Sequence, residues 1–494
     1  MRGVDPTFAT ATELVAALAD RTISSRELLD LHLARIEALN PSLGAVVALD
    51  PERARRAAER ADEATAKGAP AGPLHGLPMT VKDVWETEGL TTTAGAPELA
   101  AHVPATDALA VGRLKAAGAI VVGKTNTPLY AGDFQTHNEL FGVTNNPWDT
   151  TRTAGGSSGG AAAAVEAGLT PLELGSDIGG SIRNPAHYCG IFGLKPSWGV
   201  VPSRGHIPGP PGTLSEADVN CGGPMARSIA DLRTALLAIA GPLPEDSPAW
   251  RLELDAGPAV ADVGSIRVAT VFENGTDLLP VAADVQAQLH GLAGRLAAAG
   301  ASVEEVPLPV SLADGLESWQ ELVLPLEGTK FSDEEFASFC VVDSMEGDDP
   351  FVRAGQALVA RHRRWLAANE RRQHERAAWA ELFTRYDVVL APVMPTAAFP
   401  HDIERPITER SLDVDGTAVP HMFAMAWCGA IGSVLLPVVT VPTGCTPSGL
   451  PVGVQVVGPY LSDLRLLRLC EVMVEAAGPG YEPPPRLLEA PSGP

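Results

Sequence analysis

The chain lacks the patterns on which several chemistries depend. Its six cysteines, Cys189, Cys221, Cys340, Cys428, Cys445 and Cys470, never form a C-x-x-C pair, so neither a disulfide framework nor a zinc knuckle is indicated and buried thiols are expected. None of the eleven histidines falls in an H-E-x-x-H pattern, which removes the commonest helical zinc site. No metal and no cofactor are expected. Apolar runs stay well short of the about eighteen residues a membrane helix needs, and the opening Met1-Arg-Gly-Val-Asp-Pro-Thr has no apolar signal-peptide core, so a cytoplasmic protein without a membrane partner is expected. Positive charge is scarce too. A net charge of −24 argues against binding nucleic acid, whose affinity comes from Lys and Arg neutralising phosphates. Only six residues are lysines, and one of them, Lys82, sits inside the apolar, strand-like run Leu77–Trp85.

What is present is a continuous alternation of helical and strand-like segments. Apolar spacing from Thr12 to about Leu39 predicts two helices, with Ser24 or Ser25 as an N-cap and Pro41 after the stop. A third helix is expected from Arg53 to about Lys67, a strand over Met79–Val84, a helix over 107–118 and a buried strand over 119–123. The polar stretch Asn138–Thr153 reads as loop, Gly160–Gly168 as a short packed helix and Leu172–Gly175 as a short strand. Between Pro202 and about Asp348 only the strand Ile266–Phe272 and the helix Asp284–Ala299 stand out. A long helix is expected from about Arg353 to Tyr386, a strand over 387–391, a late strand over 453–458 and a helix from Ser462 to about Ala477. The alternation indicates an α/β fold. No repeat or linker divides it, so one domain is expected over 1–485: a helical N-terminal part to about 70, a catalytic core over about 71–204, a variable specificity region over about 205–345 and the rest of the core over 346–480. Residues 482–494 read as a flexible tail.

Three segments carry the chemistry. They are Gly76-Leu-Pro-Met-Thr-Val-Lys-Asp83, Gly155-Gly-Ser-Ser-Gly-Gly160 and Ser176-Asp-Ile-Gly-Gly-Ser-Ile-Arg183. Amide hydrolysis through an acyl-enzyme needs a hydroxyl nucleophile, a base and donors for the oxyanion. No histidine recommends itself as base; His75, His137 and His187 lie near the motifs but read as structural. Lysine remains, provided burial lowers its pKa from about 10.4 to about 7–8, and the flanking Leu77, Met79, Val81, Val84 and Trp85 offer that setting. The competing reading is a structural lysine, paired with Asp83 or capping a helix. Ser181 reads as the nucleophile, with the N–H groups of Ile178, Gly179 and Gly180 as oxyanion donors. Asp177 and Arg183 read as supports for that loop. The first box fits G-x-S-x-G centred on Ser157 or on Ser158, which raises a nucleophile elbow, but the preceding Asn145–Ala154 is polar and contains a proline. Its glycines suggest an unusual backbone holding a serine as a relay; a flexible Gly/Ser loop or a phosphate cradle are the alternatives.

In these motifs, together with Cys189-Gly, Gly193-Leu-Lys-Pro196, Gly449-Leu-Pro-Val-Gly-Val-Gln455 and Lys124 in Val121-Val-Gly-Lys-Thr-Asn126, the chain resembles the amidase signature family of serine hydrolases over roughly residues 10–480. The resemblance implies Lys82 as neutral base, Ser157 as a relay after a cis peptide bond, Ser181 as acyl-forming nucleophile and Ser158 as support. Lys124 would be structural. It also implies a large mixed, twisted sheet flanked by helices on both faces. The expected activity is hydrolysis of a small or moderately apolar carboxamide, an amide or anilide, with esters, carbamates or lactams compatible with the same triad. The alternative is the glutaminase-like component of a tRNA-dependent amidotransferase, which the apolar stretch His421–Ser433 does not favour. A homodimer is left open.

Overall fold

A computed structural model describes residues 5–207, 209–274, 278–345 and 350–488. Its centre is a mixed sheet of eleven strands: β1 (Val46–Leu49), β2 (Pro78–Lys82), β3 (Ile120–Thr125), β4 (Leu172–Asp177), β5 (Phe192–Lys195), β6 (Cys221–Ala226), β7 (Arg267–Thr270), β8 (Ser302–Glu305), β9 (Val388–Pro392), β10 (Val438–Cys445) and β11 (Pro451–Val457). Their order across the sheet is β1-β3-β2-β4-β6-β5-β10-β11-β9-β7-β8. β2 runs parallel to both β3 and β4, whereas β4, β6 and β5 alternate antiparallel. Every residue of β2, β3, β4 and β6 is buried, as strands are when helices cover both faces of a sheet. The expected α/β class and mixed sheet are observed.

Local signals account for many boundaries. Thr10 with Glu13 and Ser24 with Glu27 form capping boxes at the first two helices, Ala11–Ala19 and Ser25–Leu43, each satisfying two orphan N–H groups. Asp50 caps Pro51–Ala66, with proline in its first turn, where no N–H partner is lost. Pro41 does not end its helix as expected. It lies in the last turn, and the stop comes at Gly44, whose φ of 60° suits glycine.

Other differences have physical reasons. The long helix expected over 353–386 is two, Pro350–Leu358 and His362–Arg385; the break carries no Gly or Pro to announce it. A two-residue hairpin, His137–Asn138 with Gly142–Val143, interrupts the expected loop. β6 lies in the middle of the sheet although Cys221-Gly-Gly-Pro-Met-Ala226 has poor β-propensity. Its glycines are required by close approach: a Cβ on Gly223 would lie 2.0 Å from the Leu194 carbonyl oxygen, and one on Gly222 2.8 Å from the Trp85 ring. At the end of the chain, Pro485–Leu488 forms a helical turn with Leu487 buried. The rest of the expected tail, 489–494, lies outside the described residues. Four cysteines are buried as expected, but Cys445 is half-buried and Cys340 exposed. Among the described residues no helix is long and apolar enough to cross a membrane.

Candidate active site

Thr80 pairs with Glu173 and Val81 with Leu174 across the parallel strands β2 and β4, so both strands end at the same edge, where open sheets of this kind place their ligands. Lys82 is the last residue of β2, and Ser176 and Asp177 are the last two of β4. The chain then turns through Ile178–Ser181 into the helix Arg183–Cys189. The glycine box meets the same edge, because Ser158 precedes the helix Gly159–Glu166.

Lys82 is fully buried. Its Nζ donates to Ser157 Oγ at 2.6 Å and to Ser176 Oγ at 3.1 Å. Burial brings its pKa down to about 7, against the opposing charges of Asp177 and Glu173. Glu173 opposes weakly, since burial pushes its own carboxyl up to about 8, even with hydroxyl donors from Thr80 and Thr125. The structural alternative for Lys82 is not met. Asp83 instead accepts from the Thr93 backbone N–H at 3.1 Å and from the Thr93 hydroxyl, and the lysine nearest it in effect is Lys124. Lys124, also buried, donates to the Trp85 carbonyl and to Thr87 Oγ1.

The peptide bond Gly156–Ser157 is cis, as the family resemblance implies. The box is held by Thr136, whose Oγ1 donates to the Gly155 carbonyl at 2.9 Å and accepts from Gly159 N at 3.1 Å. Of the two central serines only Ser157 bonds Lys82. Ser158 donates through its hydroxyl to the Ser176 carbonyl at 3.2 Å and through its N–H to the Ser181 carbonyl at 3.1 Å.

Ser157, Ser176 and Ser181 line one cavity together with Ile178. Among the described residues the Ser181 hydroxyl makes no hydrogen bond, so the network in which Lys82 bonds Ser157 and Ser176 stops short of it. The cavity measures about 30 Å³, room for about two water molecules. Tyr130, Ala131, Leu326 and Glu327 form part of its wall.

Asp177 and Arg183 hold the Ile178–Ser181 turn. Asp177 Oδ1 accepts from Arg183 Nη2 at 2.8 Å and Oδ2 from Arg183 Nε at 3.0 Å. Burial by itself would raise the Asp177 pKa, but the Arg183 guanidinium and its hydrogen bonds bring it down to about 2. Arg183 Nη1 reaches onward to the Cys428 carbonyl and to Gln455 Oε1 of β11, both at 2.8 Å. One expected role needs correction. The Gly180 N–H is donated to Asp177 Oδ1 at 2.8 Å, because the carboxylate sits beneath the turn, so it does not face the cavity as an oxyanion donor. The N–H groups of Ile178, Gly179 and Ser181 have no protein acceptor among the described residues.

The expected histidines are elsewhere engaged: His75 Nδ1 accepts from Ala71 N, and His187 bridges the backbone of Gly453 and Thr396. Sequence reasoning missed Ser176 as a ligand of Lys82, although it lies in a motif already singled out. It also missed Tyr130, His206, Asn220 and Glu327 on the cavity wall. Nothing in their neighbourhoods marks them, and the position of Tyr130 depends on a φ of 47° that no sequence signal announces. Among the described residues no cluster of three or more His, Cys, Asp or Glu could hold a metal ion.

Residues 27–467 match the family model described as Amidase. Over 482 residues the chain is 35% identical to the A subunit of the glutamyl-tRNA(Gln) amidotransferase of Synechococcus sp. (strain CC9605), covering 92% of this chain and 94% of that protein. Among solved structures, it is similar to a protein of a vestigial complex that reveals the evolutionary origins of an s-triazine catabolic enzyme, with a TM-score of 0.80, 30% identity and coverage of 96% and 100%. It is also similar to a bacterial aryl acylamidase of the amidase signature enzymes, with a TM-score of 0.80, 25% identity and coverage of 95% and 96%.

Proposed function

The chain belongs to the amidase signature family of amide-bond hydrolases, and from that premise we propose that it hydrolyses a small or moderately apolar carboxamide through an acyl-enzyme on Ser181. The observation that carries this reading is the buried Lys82, with a pKa near 7, 2.6 Å from Ser157 Oγ in a cavity that Ser181 shares. In its neutral form Lys82 has a lone pair that accepts the Ser157 proton as Ser157 takes that of Ser181. Ser181 Oγ then attacks the substrate carbonyl carbon. Backbone N–H groups of the Ile178–Ser181 turn receive the negative charge on the carbonyl oxygen. The relayed proton passes to the leaving nitrogen as the C–N bond breaks, and water releases the acid by the reverse relay. No metal or cofactor takes part in these steps, and the partner is a small-molecule amide.

A second reading, hydrolysis of glutamine as part of an amidotransferase, is favoured by the 35% identity over nearly the whole chain. Glutamine carries an α-carboxylate, which a site commonly meets with Arg or Lys. Among the described residues no arginine or lysine lines the cavity, which supports the uncharged amide. Turnover of para-nitroacetanilide, simple amides, esters, carbamates and L-glutamine tests both readings. Hydrolysis of amides or anilides supports the first; turnover of glutamine alone would overturn it in favour of the second.

A further inference from the structure

Trp319 lies on the helix Leu312–Glu327, far in sequence from every serine and lysine of the site. Its indole Nε1–H donates to the Ile178 carbonyl at 2.8 Å. The indole also packs on the turn, since a Cβ on Gly179 would meet Met425 Cε at 2.5 Å and Trp319 Cζ2 at 2.9 Å. The helix is seated firmly: Gly315 lies so close to the helix Ala426–Ser433 that a Cβ there would be 2.6 Å from the Ala430 Cβ, and Glu321 pairs with Arg364 at 2.8 Å.

The single cis peptide among the described residues is Gly156–Ser157, so the peptides of the Ile178–Ser181 turn are trans. In a planar trans peptide the C=O and the following N–H point in opposite directions. By holding the Ile178 carbonyl, Trp319 therefore turns the Gly179 N–H to the other side of the turn. The Gly180 carbonyl accepts from Asn184 N at 2.7 Å, which turns the Ser181 N–H in the same manner. Between them the Gly180 N–H is committed to Asp177. Of the turn, Ile178 and Ser181 line the cavity and Gly179 and Gly180 do not; Trp319, behind the Ile178 carbonyl, does not line it either.

Resting on the reading of Ser181 as nucleophile, we propose that Trp319 is a positioning residue of the oxyanion site, aiming the Gly179 N–H at the developing charge through the Ile178 carbonyl without touching substrate. Gly179 and Ser181 are then the donor pair.

The test is to replace Trp319 by Phe and, separately, by site-specifically incorporated benzothienylalanine, which keeps the bicyclic shape but has sulfur in place of the N–H. Each protein is assayed on para-nitroacetanilide or para-nitrophenyl acetate, titrated with a trifluoromethyl ketone that forms an oxyanion with the nucleophile, and titrated with acetate as a ground-state ligand. We expect kcat to fall roughly 10- to 100-fold, toward the loss seen when an oxyanion donor is removed outright. KM, acetate affinity and the alkaline pH limb stay as in the wild type, and affinity for the ketone falls in step with kcat. An unchanged kcat in the benzothienylalanine protein would overturn the inference while leaving the proposed function intact, as would a loss in which melting temperature, KM and acetate affinity all move together. Wild-type turnover without fluorophosphonate labelling of Ser181 would overturn the proposed nucleophile and this inference with it.

Discussion

Lys82 and Asp83 are neighbours in sequence, yet their side chains serve different networks: Lys82 donates to Ser157 and Ser176, whereas Asp83 accepts from Thr93. Asp83 lies one residue beyond the end of β2 and its carboxylate is taken up by Thr93, so the nearest acid along the chain does not neutralise the lysine. Lys82 is left in an apolar setting among hydroxyls, where its neutral form is favoured.

Replacing Lys82 by Met is expected to abolish turnover without lowering the melting temperature at pH 7. The sign follows from linkage. With a folded pKa of about 7 against about 10.4 unfolded, the unfolded chain binds the extra proton between these values, so this group costs stability at neutral pH and the cost falls as pH rises. Thermal unfolding of both proteins from pH 6 to 10 checks it: the variant's advantage should shrink toward alkaline pH. Marked destabilisation of the variant at pH 7 would indicate a charged, structural lysine instead.

In the wild-type protein, kcat/KM should rise through an alkaline limb with an apparent pKa near 7, as Lys82 loses its proton. A rate profile over pH 5 to 10 reads this directly, and a limb near 10 would remove Lys82 as the base.

Ser181→Ala should reduce turnover by roughly 10³-fold or more while the protein stays folded, since no acyl-enzyme can form. Intact-protein and peptide mass spectrometry after a fluorophosphonate should find the adduct on Ser181, one residue that lines the cavity with an unengaged hydroxyl. An adduct on Ser157 would exchange their roles.

The contacts separate the two serines of the glycine box. Ser157→Ala removes the partner of Lys82 and should lower kcat more than Ser158→Ala, whose hydroxyl bonds only the backbone around Ser176. Some activity should survive Ser157→Ala, because water can bridge a missing relay. Equal rates for Ser157→Ala and wild type would count against the relay.

Asp177→Asn should destabilise the fold by about 3–5 kcal/mol in urea unfolding at pH 7, since it leaves the buried Arg183 without its counter-charge. Adding Arg183→Met should recover part of that loss. Wild-type stability from this pair is full above the ordinary carboxylate pKa and declines as pH falls toward about 2, so the single variant should lose less than the wild type on acidification.

The parts of the site that were legible in the sequence are those where chemistry and local backbone need coincide: Lys82 in an apolar strand, and serines among glycines that permit close approach. The candidate oxyanion donors were legible only in part. Consecutive N–H groups can be read from a glycine-rich turn, but Asp177 claims the middle one, Gly180, and which peptide faces which way depends on partners such as Trp319 that are distant in sequence. Tyr130, His206, Asn220 and Glu327 meet at the cavity only through tertiary packing. In the fold, capped helices and β-branched strands announced themselves. β6 did not, because its residues were selected by proximity to Leu194 and Trp85 rather than by β-propensity.

The place of β6 has a consequence for how the chain is made. Leu172–Asp177 emerges from the ribosome before its antiparallel partner Cys221–Ala226, and β5 is synthesised between the two. Until residue 226 is available, β4 has one neighbour, β2, and an open edge that invites pairing with other chains. A fragment ending near residue 204, although it contains Lys82, Ser157 and Ser181, thus lacks the strand that covers β4 and leaves that strand at the rim of its sheet.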